Sequence, residues 1–244
     1  NFHLTVYPSA LAQKWGIVML LVYNGVDIYP DISLRYCVHE SYAERQSDSL
    51  TMCFNDPKGA WNNWEPVAGD IVSFEDNGMK TGKMYVHQLK PENGLFTIRA
   101  LAMPTSGKIK RSKSWEAVRF LQLGAEIAQR HGLTLQQYGC TDLVYPYVAQ
   151  NNETDFRFFC RLCALEGYQM ILFDGAIIVY NESYIESIAP SETLAIGNGG
   201  IYQYSDASDQ CYGASKVTCG RYYGTFSDAS YPSDRVLRPA APIQ

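Results

Sequence analysis

Two tryptophans in one polar loop are the residues of this sequence that most suggest a binding site. Trp61 and Trp64 stand three residues apart in DPKGAWNNWEPVAGDIVSF, residues 56–74, among Pro, Gly and Asn. Exposed indole rings stack on sugars, which would make the loop a glycan-binding platform. The same rings can instead cover the open end of a β-barrel, each burying roughly 150–250 Å². The loop composition favours the structural cover and leaves the glycan platform as the alternative.

Four aspartates lie at the ends of predicted strands: Asp48, Asp56, Asp70 and Asp76. Two carboxyl groups flanking a glycosidic bond are the acid and base of a glycosidase, so a lytic enzyme component that uses Trp61 and Trp64 is a second form of the alternative. Aspartates in turns more commonly accept hydrogen bonds from the local backbone. We therefore interpret these four as turn residues and predict no catalytic residue.

Motifs for cofactors, metals and nucleophiles are absent from the sequence. It has no GxSxG elbow and no P-loop, and GNGG at 197–200 lacks the strand-to-helix setting of a phosphate site. Cys160 and Cys163 form a lone CxxC, for which zinc would require two further ligands, and their helical spacing favours core packing. We predict no metal and no cofactor. The seven scattered cysteines indicate folding in a reducing compartment.

The charge and hydropathy of the chain favour neither nucleic-acid binding nor a membrane span. The net charge is −5, and no basic face is visible in the sequence. The densest positive run, GKIKRSKSW at 107–115, is predicted to be a solvated linker. No stretch reaches the roughly 18 apolar residues of a transmembrane helix. The most apolar stretch, WGIVMLLVY at 15–23, is predicted to be a strand, and we expect no membrane anchor.

Residues 16–104 have the pattern of a small β domain that follows an N-terminal extension, residues 1–15. Asn24-Gly25 between apolar runs predicts a hairpin. Alternation predicts one strand with Leu34, Tyr36 and Val38 on one face, and a second with Leu50, Met52 and Phe54 on one face. Further strands are predicted in DIVSFEDNG, GKMYVHQLKPENG and LFTIRALAMP. Six short strands with Gly and Asn at the turns indicate a small barrel or sandwich.

Residues 105–189 change to a helical period and predict an αβ module. SWEAVRFLQLGAEIAQRHG predicts a helix that begins after Ser114 and ends at His131-Gly132. Its apolar stripe is Trp115, Val118, Leu121, Ala125 and Ala128. Strands are predicted in LTLQQYG and YPYVAQ, then a second helix from about Glu153 to Glu166 with Phe156, Phe159, Leu162 and Cys163 facing inward. A hairpin turning at Asp174-Gly175 completes the module.

Residues 190–244 return to a β pattern. Strands are predicted in IYQYSD, YGASKVTCG and RYYGTFSD. Three strands do not form a stable barrel alone. We therefore expect this second β domain to be incomplete and the protein to continue past Gln244.

The order of these motifs resembles the baseplate hub proteins of contractile-tailed phages and related particles, the late control protein D-like family. The resemblance rests on YNGVDI at 23–28, SDSLTMCFND at 47–56, and the pattern W..W.P..GD.V.F from Trp61 to Phe74. It continues through TGKMYVHQL, LFTIRALAMP, KRSKSWEAV, AEIAQRHGLTL and NNETDFRFFCRLCALEGYQMILFDGAIIVY. It covers residues 20–182 well and residues 200–226 more thinly, while residues 1–15 match no part of the family pattern.

This resemblance implies a structural, non-enzymatic protein of the α+β, β-rich class, with two small β-barrel domains and an intervening αβ module. Members of the family form a homotrimer around a central channel, and the trimer joins the six-fold tail tube to the three-fold spike. The implied partners are the spike, the tail tube, baseplate wedge proteins and the tape measure. DNA would pass through the channel without specific binding.

The implied location is the baseplate of a virion tail, and the same fold would serve a bacteriocin or a secretion-system particle. The candidate structural or subunit-contact residues are Trp61, Trp64, Gly69, Asp70 and Trp115.

Overall fold

The structure is a computed structural model that describes residues 2–6, 19–42, 47–76, 79–190, 214–219 and 222–227, with the backbone alone at 2–6 and in the last two segments. The chain divides into two compact units, residues 1–189 and residues 190–244. In the second unit, two described strands pair antiparallel. The strand predicted in IYQYSD lies outside the described residues.

The helices and strands are short. The strands are β1 (Phe2–Val6), β2 (Met19–Tyr23), β3 (Val26–Asp27), β4 (Leu34–Ser41), β5 (Ser49–Asn55), β6 (Ile71–Asp76), β7 (Met79–Lys80), β8 (Met84–Glu92), β9 (Leu95–Leu101), β10 (Lys110–Arg119), β11 (Thr134–Tyr138), β12 (Val144–Thr154), β13 (Gln169–Phe173), β14 (Ala176–Tyr180), β15 (Ala214–Cys219) and β16 (Tyr222–Ser227). The helices are α1 (Ala60–Trp64), α2 (Phe120–Arg130), α3 (Asp155–Leu165) and α4 (Glu182–Ser187), with 3₁₀ turns at Tyr29–Asp31 and Thr105–Lys108.

One large antiparallel sheet contains β1 to β9. Among the described residues its order is β1-β4-β5-β9-β8-β6-β2-β3, with β7 paired to β6. Both Asn-Gly turns that lie in the described part, at 24–25 and 93–94, have positive φ at both residues. Such turns match the twist of the strands they join. The prediction of an α+β, β-rich fold is confirmed.

The core side of the sheet agrees with the predicted alternation in β5 and departs from it in β4. Leu50, Met52 and Phe54 are all fully buried, as predicted. In β4, Leu34 is buried but the next buried side chains are Cys37 and His39, not the predicted Tyr36 and Val38. The pairing of β4 with β5 shifts between Leu34 and Tyr36. Because a bulge adds one residue, every later side chain changes face.

The first predicted helix is wrong over its N-terminal half. Residues 110–119 form β10, and α2 begins at Phe120 after Arg119, so Ser114 does not cap it. Trp115 and Val118 are both buried although they are three apart in a strand. Ala117 between them has φ of +49°, which interrupts the alternation. The buried side chains of this irregular strand are therefore three residues apart, which is the spacing expected of a helix.

Strand β10 also corrects the prediction for the positive run at 107–115. Lys110, Arg111 and Lys113 are exposed, but they belong to a ribbon that pairs antiparallel with β12, not to a linker. Pairing across the ribbon places Lys110 opposite Thr154, at the start of α3.

The rest of the module follows the prediction. Helix α3 buries the four predicted side chains and ends before Gly167, whose φ is +75°. Its N-cap is Thr154, whose side chain accepts a hydrogen bond from the Arg157 N–H. Strands β13 and β14 form the predicted hairpin, turning at Asp174-Gly175, and β11 pairs parallel with β14.

Candidate interaction surface at the tryptophan loop

Helix α1 carries the two tryptophans between β5 and β6. The Asp56 carboxylate accepts hydrogen bonds from the backbone N–H groups of Ala60 (2.6 Å) and Trp61 (3.3 Å). It thereby satisfies two donors that the start of a helix leaves unpaired. Gly59 and Glu65 flank the helix with φ of +66° and +49°. These left-handed residues restrict the helix to one short turn, and Asp56 acts as the predicted turn residue.

Trp61 is part of the hydrophobic core. It is 3% exposed, and its ring lies parallel to Phe96, with 5.1 Å between centroids and 4° between planes. Phe54 contacts the ring at 4.7 Å and Tyr23 contacts it edge-on at 5.9 Å. Rings from β2, β5 and β9 therefore surround Trp61. At this exposure the Trp61 ring is not available as a surface platform for a sugar.

Trp64 lies at the surface. It is 46% exposed and meets Trp61 edge-on, with 4.9 Å between centroids. Three more exposed apolar side chains lie close by in the chain or in the sheet: Val26, Val67 and Ile71. Val26 pairs with Tyr23 in the β2–β3 hairpin, and the Ile71 carbonyl accepts the N–H of Asn24 in the turn of that hairpin. Val67 lines the same cavity as Trp64, whereas Ile71 lines a different one together with Leu20 and Phe173. We call Trp64 and Val67 the tryptophan-loop patch.

Asp70 holds the loop to the sheet. Its carboxylate accepts hydrogen bonds from the Tyr23 hydroxyl (2.7 Å), the Asn24 amide (3.0 Å) and the Val67 N–H (2.8 Å). Partial burial acts to raise the pKa of Asp70, but these donors outweigh it and the pKa lies below its usual range. Burial and the neighbouring Asp70 carboxylate raise the pKa of Tyr23. Asp70 is therefore a fixed anion with a structural role.

Gly69 provides the turn that brings Asp70 into place. Its φ is +100°, a conformation that side chains with a Cβ rarely adopt. Its N–H donates to the Val86 carbonyl (2.8 Å), and the Val86 N–H donates to the Asp70 carbonyl (2.8 Å). Gly69 and Asp70 thus attach the loop that carries the patch to β8.

A cavity of about 450 Å³ opens beside Trp64. Its walls include Tyr23, Ile28 and Pro66, and the carboxylates of Asp31 and Glu65 stand at its edge. Neither carboxylate has a hydrogen bond or an ion pair to another residue in the part of the chain that the structure describes. The surface therefore combines an exposed indole, aliphatic side chains and two acidic groups.

Trp115 belongs to the module and not to this surface. It is 8% exposed and stacks on Phe158 of α3, with 5.3 Å between centroids and 7° between planes. Its indole N–H donates to Glu126 of α2 (2.9 Å), and the Lys113 ammonium lies 4.8 Å from the ring centroid. Trp115 therefore joins β10, α2 and α3 inside the module.

A buried polar network that the sequence analysis missed connects the segment after β9 to the module. The Ser106 hydroxyl lies 2.7 Å from His131 Nδ1, and His131 Nε2 lies 2.9 Å from Asp155 Oδ2. Arg130 and Gln150 also donate to the Asp155 carboxylate, each at 2.8 Å. Burial acts to raise the pKa of Asp155, but the donors outweigh it and lower the pKa.

Serine, histidine and aspartate are residue types of hydrolytic triads, but the geometry here is structural. The His131 and Asp155 side chains are at most 1% exposed. Arg130 already pairs with the Asp155 carboxylate. No local pattern in the sequence indicated this network, since Ser106, His131 and Asp155 lie 25 and 24 residues apart along the chain.

The other two predicted turn aspartates differ. Asp48 accepts from the Ser41 hydroxyl and the Tyr42 N–H, whereas Asp76 Oδ1 is buried without a hydrogen-bond partner among the described residues, and burial raises the pKa of Asp76. Cys163 is fully buried in α3, and Cys160 lies half-buried one turn before it. Within the described residues, no three His, Cys, Asp or Glu side chains are grouped as metal ligands would be. None of the described helices has the length and apolarity to cross a membrane.

Known structures share this fold. A tail protein from Neisseria meningitidis MC58 superposes with a TM-score of 0.61 at 11% identity, covering 92% of this chain and 70% of that protein. At this identity the likeness is one of fold. Prophage tail protein gp18 from Listeria monocytogenes EGD-e has a TM-score of 0.50 at 13% identity, covering 87% of this chain and 68% of its own length.

A third tail-protein structure has a weaker likeness. The prophage MuSo2 43 kDa tail protein from Shewanella oneidensis has a TM-score of 0.47 at 11% identity, covering 67% of this chain. This chain spans about half of that protein, 55% of its length. No family model matches the sequence, and no curated protein matches it.

Proposed function

We propose that this protein is a structural hub of a contractile phage tail or a related injection particle. The observation that carries the proposal is the tail-protein fold, which extends over 92% of the chain in the Neisseria superposition. The ordered motifs from YNGVDI to the Asp174-Gly175 hairpin agree with it. On this proposal the protein is a homotrimer that joins a six-fold tube to a three-fold spike in the baseplate, and it has no catalytic role.

The tryptophan-loop patch is the surface that we assign to subunit contact. Interfaces are enriched in tryptophan at their centres, where one large ring contributes much of the binding free energy. Trp64 is an exposed ring that meets Trp61 edge-on, and the exposed Val67 lines the same cavity. Trp61, Gly69 and Asp70 act indirectly, because they hold Trp64 in position.

The mass of the protein in solution tests this proposal. Light scattering after size exclusion should be measured on the full-length chain, alone and co-expressed with its candidate spike. We expect a trimer, or a complex of three hubs with three spike chains. A stable monomer in both samples at micromolar concentration would contradict the trimeric hub.

Substitution tests the assignment of the patch. Trp64→Ala should shift the trimer toward monomer by about tenfold or more in the dissociation constant, the usual effect of removing an interface hot spot. Ile109→Ala removes another exposed apolar side chain, outside the patch, and should leave the mass unchanged. An unchanged mass for Trp64→Ala would remove the patch from the interface while leaving the trimer itself intact.

Glycan binding is the second candidate function, favoured by the cavity beside Trp64. An exposed indole next to Asp31 and Glu65 is an arrangement that could stack on a sugar ring and accept its hydroxyl hydrogen bonds. The probe is a soluble N-acetylglucosamine oligomer titrated by calorimetry. Binding that Trp64→Ala abolishes, together with an unchanged mass, would favour the glycan module over the hub.

A further inference from the structure

A second concave surface lies on the module, along helix α3. Its volume is about 640 Å³, within the range of small-ligand and side-chain pockets. The apolar wall consists of Met103, Phe156, Cys160, Ala164, Met170 and Leu172. We call this surface the α3 groove. It contains none of the residues of the tryptophan-loop patch.

Two arginines stand at the rim of the α3 groove, one helical turn apart. Arg161 donates to Glu153 (2.7 Å), and its guanidinium carbon lies 5.5 Å from the centre of the Phe158 ring. Arg157 is exposed, and its side chain has no hydrogen bond or ion pair to other described residues. The rim therefore has one guanidinium that is held in place and one that has no partner within the described part of the chain.

The nearby acidic groups are already occupied. Glu153 accepts from Arg161, and Glu166 at the end of α3 accepts from the Tyr145 hydroxyl (2.6 Å). Asp155 is completely buried and bound by Arg130. The α3 groove is therefore positive at its rim in a chain whose net charge is −5. By charge complementarity its occupant is anionic.

The wall of the α3 groove indicates what else the occupant has. Met103 and Met170 are flexible and polarisable, and such side chains adapt to apolar groups of different shape. Phe156, Cys160 and Ala164 line the groove from successive turns of α3. A groove that follows the helix over this length suits a polypeptide with several side chains better than a compact small molecule.

We propose that the α3 groove binds an acidic segment of a partner protein. One or two aliphatic or aromatic side chains of that segment fill the groove, and a carboxylate next to them pairs with Arg157. Arginine binds carboxylates through two parallel hydrogen bonds, so Arg157 fixes the register of the segment. This binding does not depend on the hub function or on the oligomeric state of the chain.

Selection from a displayed library of random 12-residue peptides tests the proposal on the full-length chain. Counter-selection uses Ala164→Trp, which fills the groove from an exposed position on α3 and should leave the thermal midpoint close to that of the wild type. We expect the peptides that require the open groove to be enriched in Asp or Glu next to Leu, Ile, Phe or Trp. Absence of groove-dependent peptides, or peptides without acidic residues, would overturn the proposal.

Arg157 provides the quantitative test. For a selected peptide, Arg157→Gln should raise the dissociation constant about tenfold or more, the effect of one charged hydrogen bond. Arg35→Gln removes an exposed arginine of β4 and should have no effect. Equal binding to wild type and Arg157→Gln would overturn the role of the carboxylate. If no acidic peptide is enriched, decanoate is added as a competitor for the peptides that do bind the groove. Displacement of all of them would identify a small amphiphile as the ligand and overturn the proposal.

Discussion

Trp61 lies flat on Phe96, with 5.1 Å between ring centroids and 4° between planes, whereas Trp64 three residues later meets Trp61 edge-on, with 4.9 Å between centroids. One short helix thus holds one tryptophan in the core and one at the surface. We therefore expect Trp61 to contribute mainly to stability and Trp64 mainly to surface contacts. Substituting each ring by itself distinguishes the two contributions.

The first prediction compares these two rings. Trp61→Ala should lower the free energy of unfolding by about 3–5 kcal/mol, the usual cost of deleting a buried aromatic ring. Trp64→Ala should lower it by no more than about 1 kcal/mol, because half of the ring is already in water and only one edge contact is lost. Urea unfolding followed by circular dichroism measures both. Equal losses would contradict the assignment of Trp61 alone to the core.

The second prediction concerns acid stability through Asp155. The folded-state pKa of Asp155 is lower than its unfolded-state value, which is about 3.9. The stabilisation is therefore complete above pH 3.9 and is lost as the pH falls through the folded-state pKa. Unfolding by urea should be measured from pH 6 to pH 2. The wild type should lose stability below about pH 4.

Asp155→Asn is the matched variant for this pH profile. At pH 7 it should cost about 3 kcal/mol, since it removes the buried anion to which Arg130 donates and beside which the His131 ring is buried. The loss relative to wild type should then shrink as the pH falls below 4, because the wild-type carboxyl also becomes neutral. A constant difference between the two proteins across this range would show that Asp155 does not cause the acid sensitivity.

The third prediction uses two glycines with the same backbone conformation. Gly82 and Gly132 have φ of +65° and +68°. A Cβ on Gly82 would lie 2.9 Å from the Asp174 Cβ and 3.1 Å from its Cα, whereas one on Gly132 would meet nothing within 4 Å. Gly132→Ala should cost about 1 kcal/mol from the left-handed backbone alone.

Gly82→Ala should cost about 1–3 kcal/mol more than Gly132→Ala, because the β13–β14 hairpin must move away from the sheet. The Lys83 N–H donates to Asp174 Oδ1 (2.9 Å) at the same place. Thermal unfolding of both variants gives the difference. Equal midpoints would mean that this contact between the sheet and the hairpin does not restrain the fold.

The fourth prediction separates the two contacts of Trp115. Trp115→Phe keeps a ring on Phe158 but removes the N–H that donates to Glu126, and should cost about 1–2 kcal/mol. Trp115→Ala removes both and should cost about 3–5 kcal/mol. Urea unfolding measures the two losses. If Phe were as damaging as Ala, the hydrogen bond and not the stack would be the main contribution of Trp115.

Features that depend on a few neighbouring residues could be predicted from the sequence. Asn24-Gly25, Asn93-Gly94 and Asp174-Gly175 adopt the positive φ that tight hairpins require, since only residues tolerant of that conformation fit there. The alternation of β5 and the inward face of α3 follow from the periods of a strand and a helix. The α+β class follows from these elements.

The predictions were wrong where a single irregular residue interrupts a strand. The shift between Leu34 and Tyr36 exchanged the two faces of β4, and the left-handed Ala117 gave β10 the spacing of a helix. Neither irregularity can be recognised from the neighbouring residues. Alanine rarely has a positive φ, and no Gly, Pro or Asn marks the shift inside β4. The pairing with β5 and β12 imposes both irregularities.

The sequence by itself determined the hairpin turns, the alternation of β5, helix α3 and the position of the tryptophan loop, since these depend on local periods and turn residues. Only the tertiary structure decided which tryptophan is buried, because that depends on rings from β2, β5 and β9. It alone brought Ser106, His131 and Asp155 together across 24 and 25 residues of chain. Contacts between distant residues arise from the packing of whole elements, which no local pattern specifies.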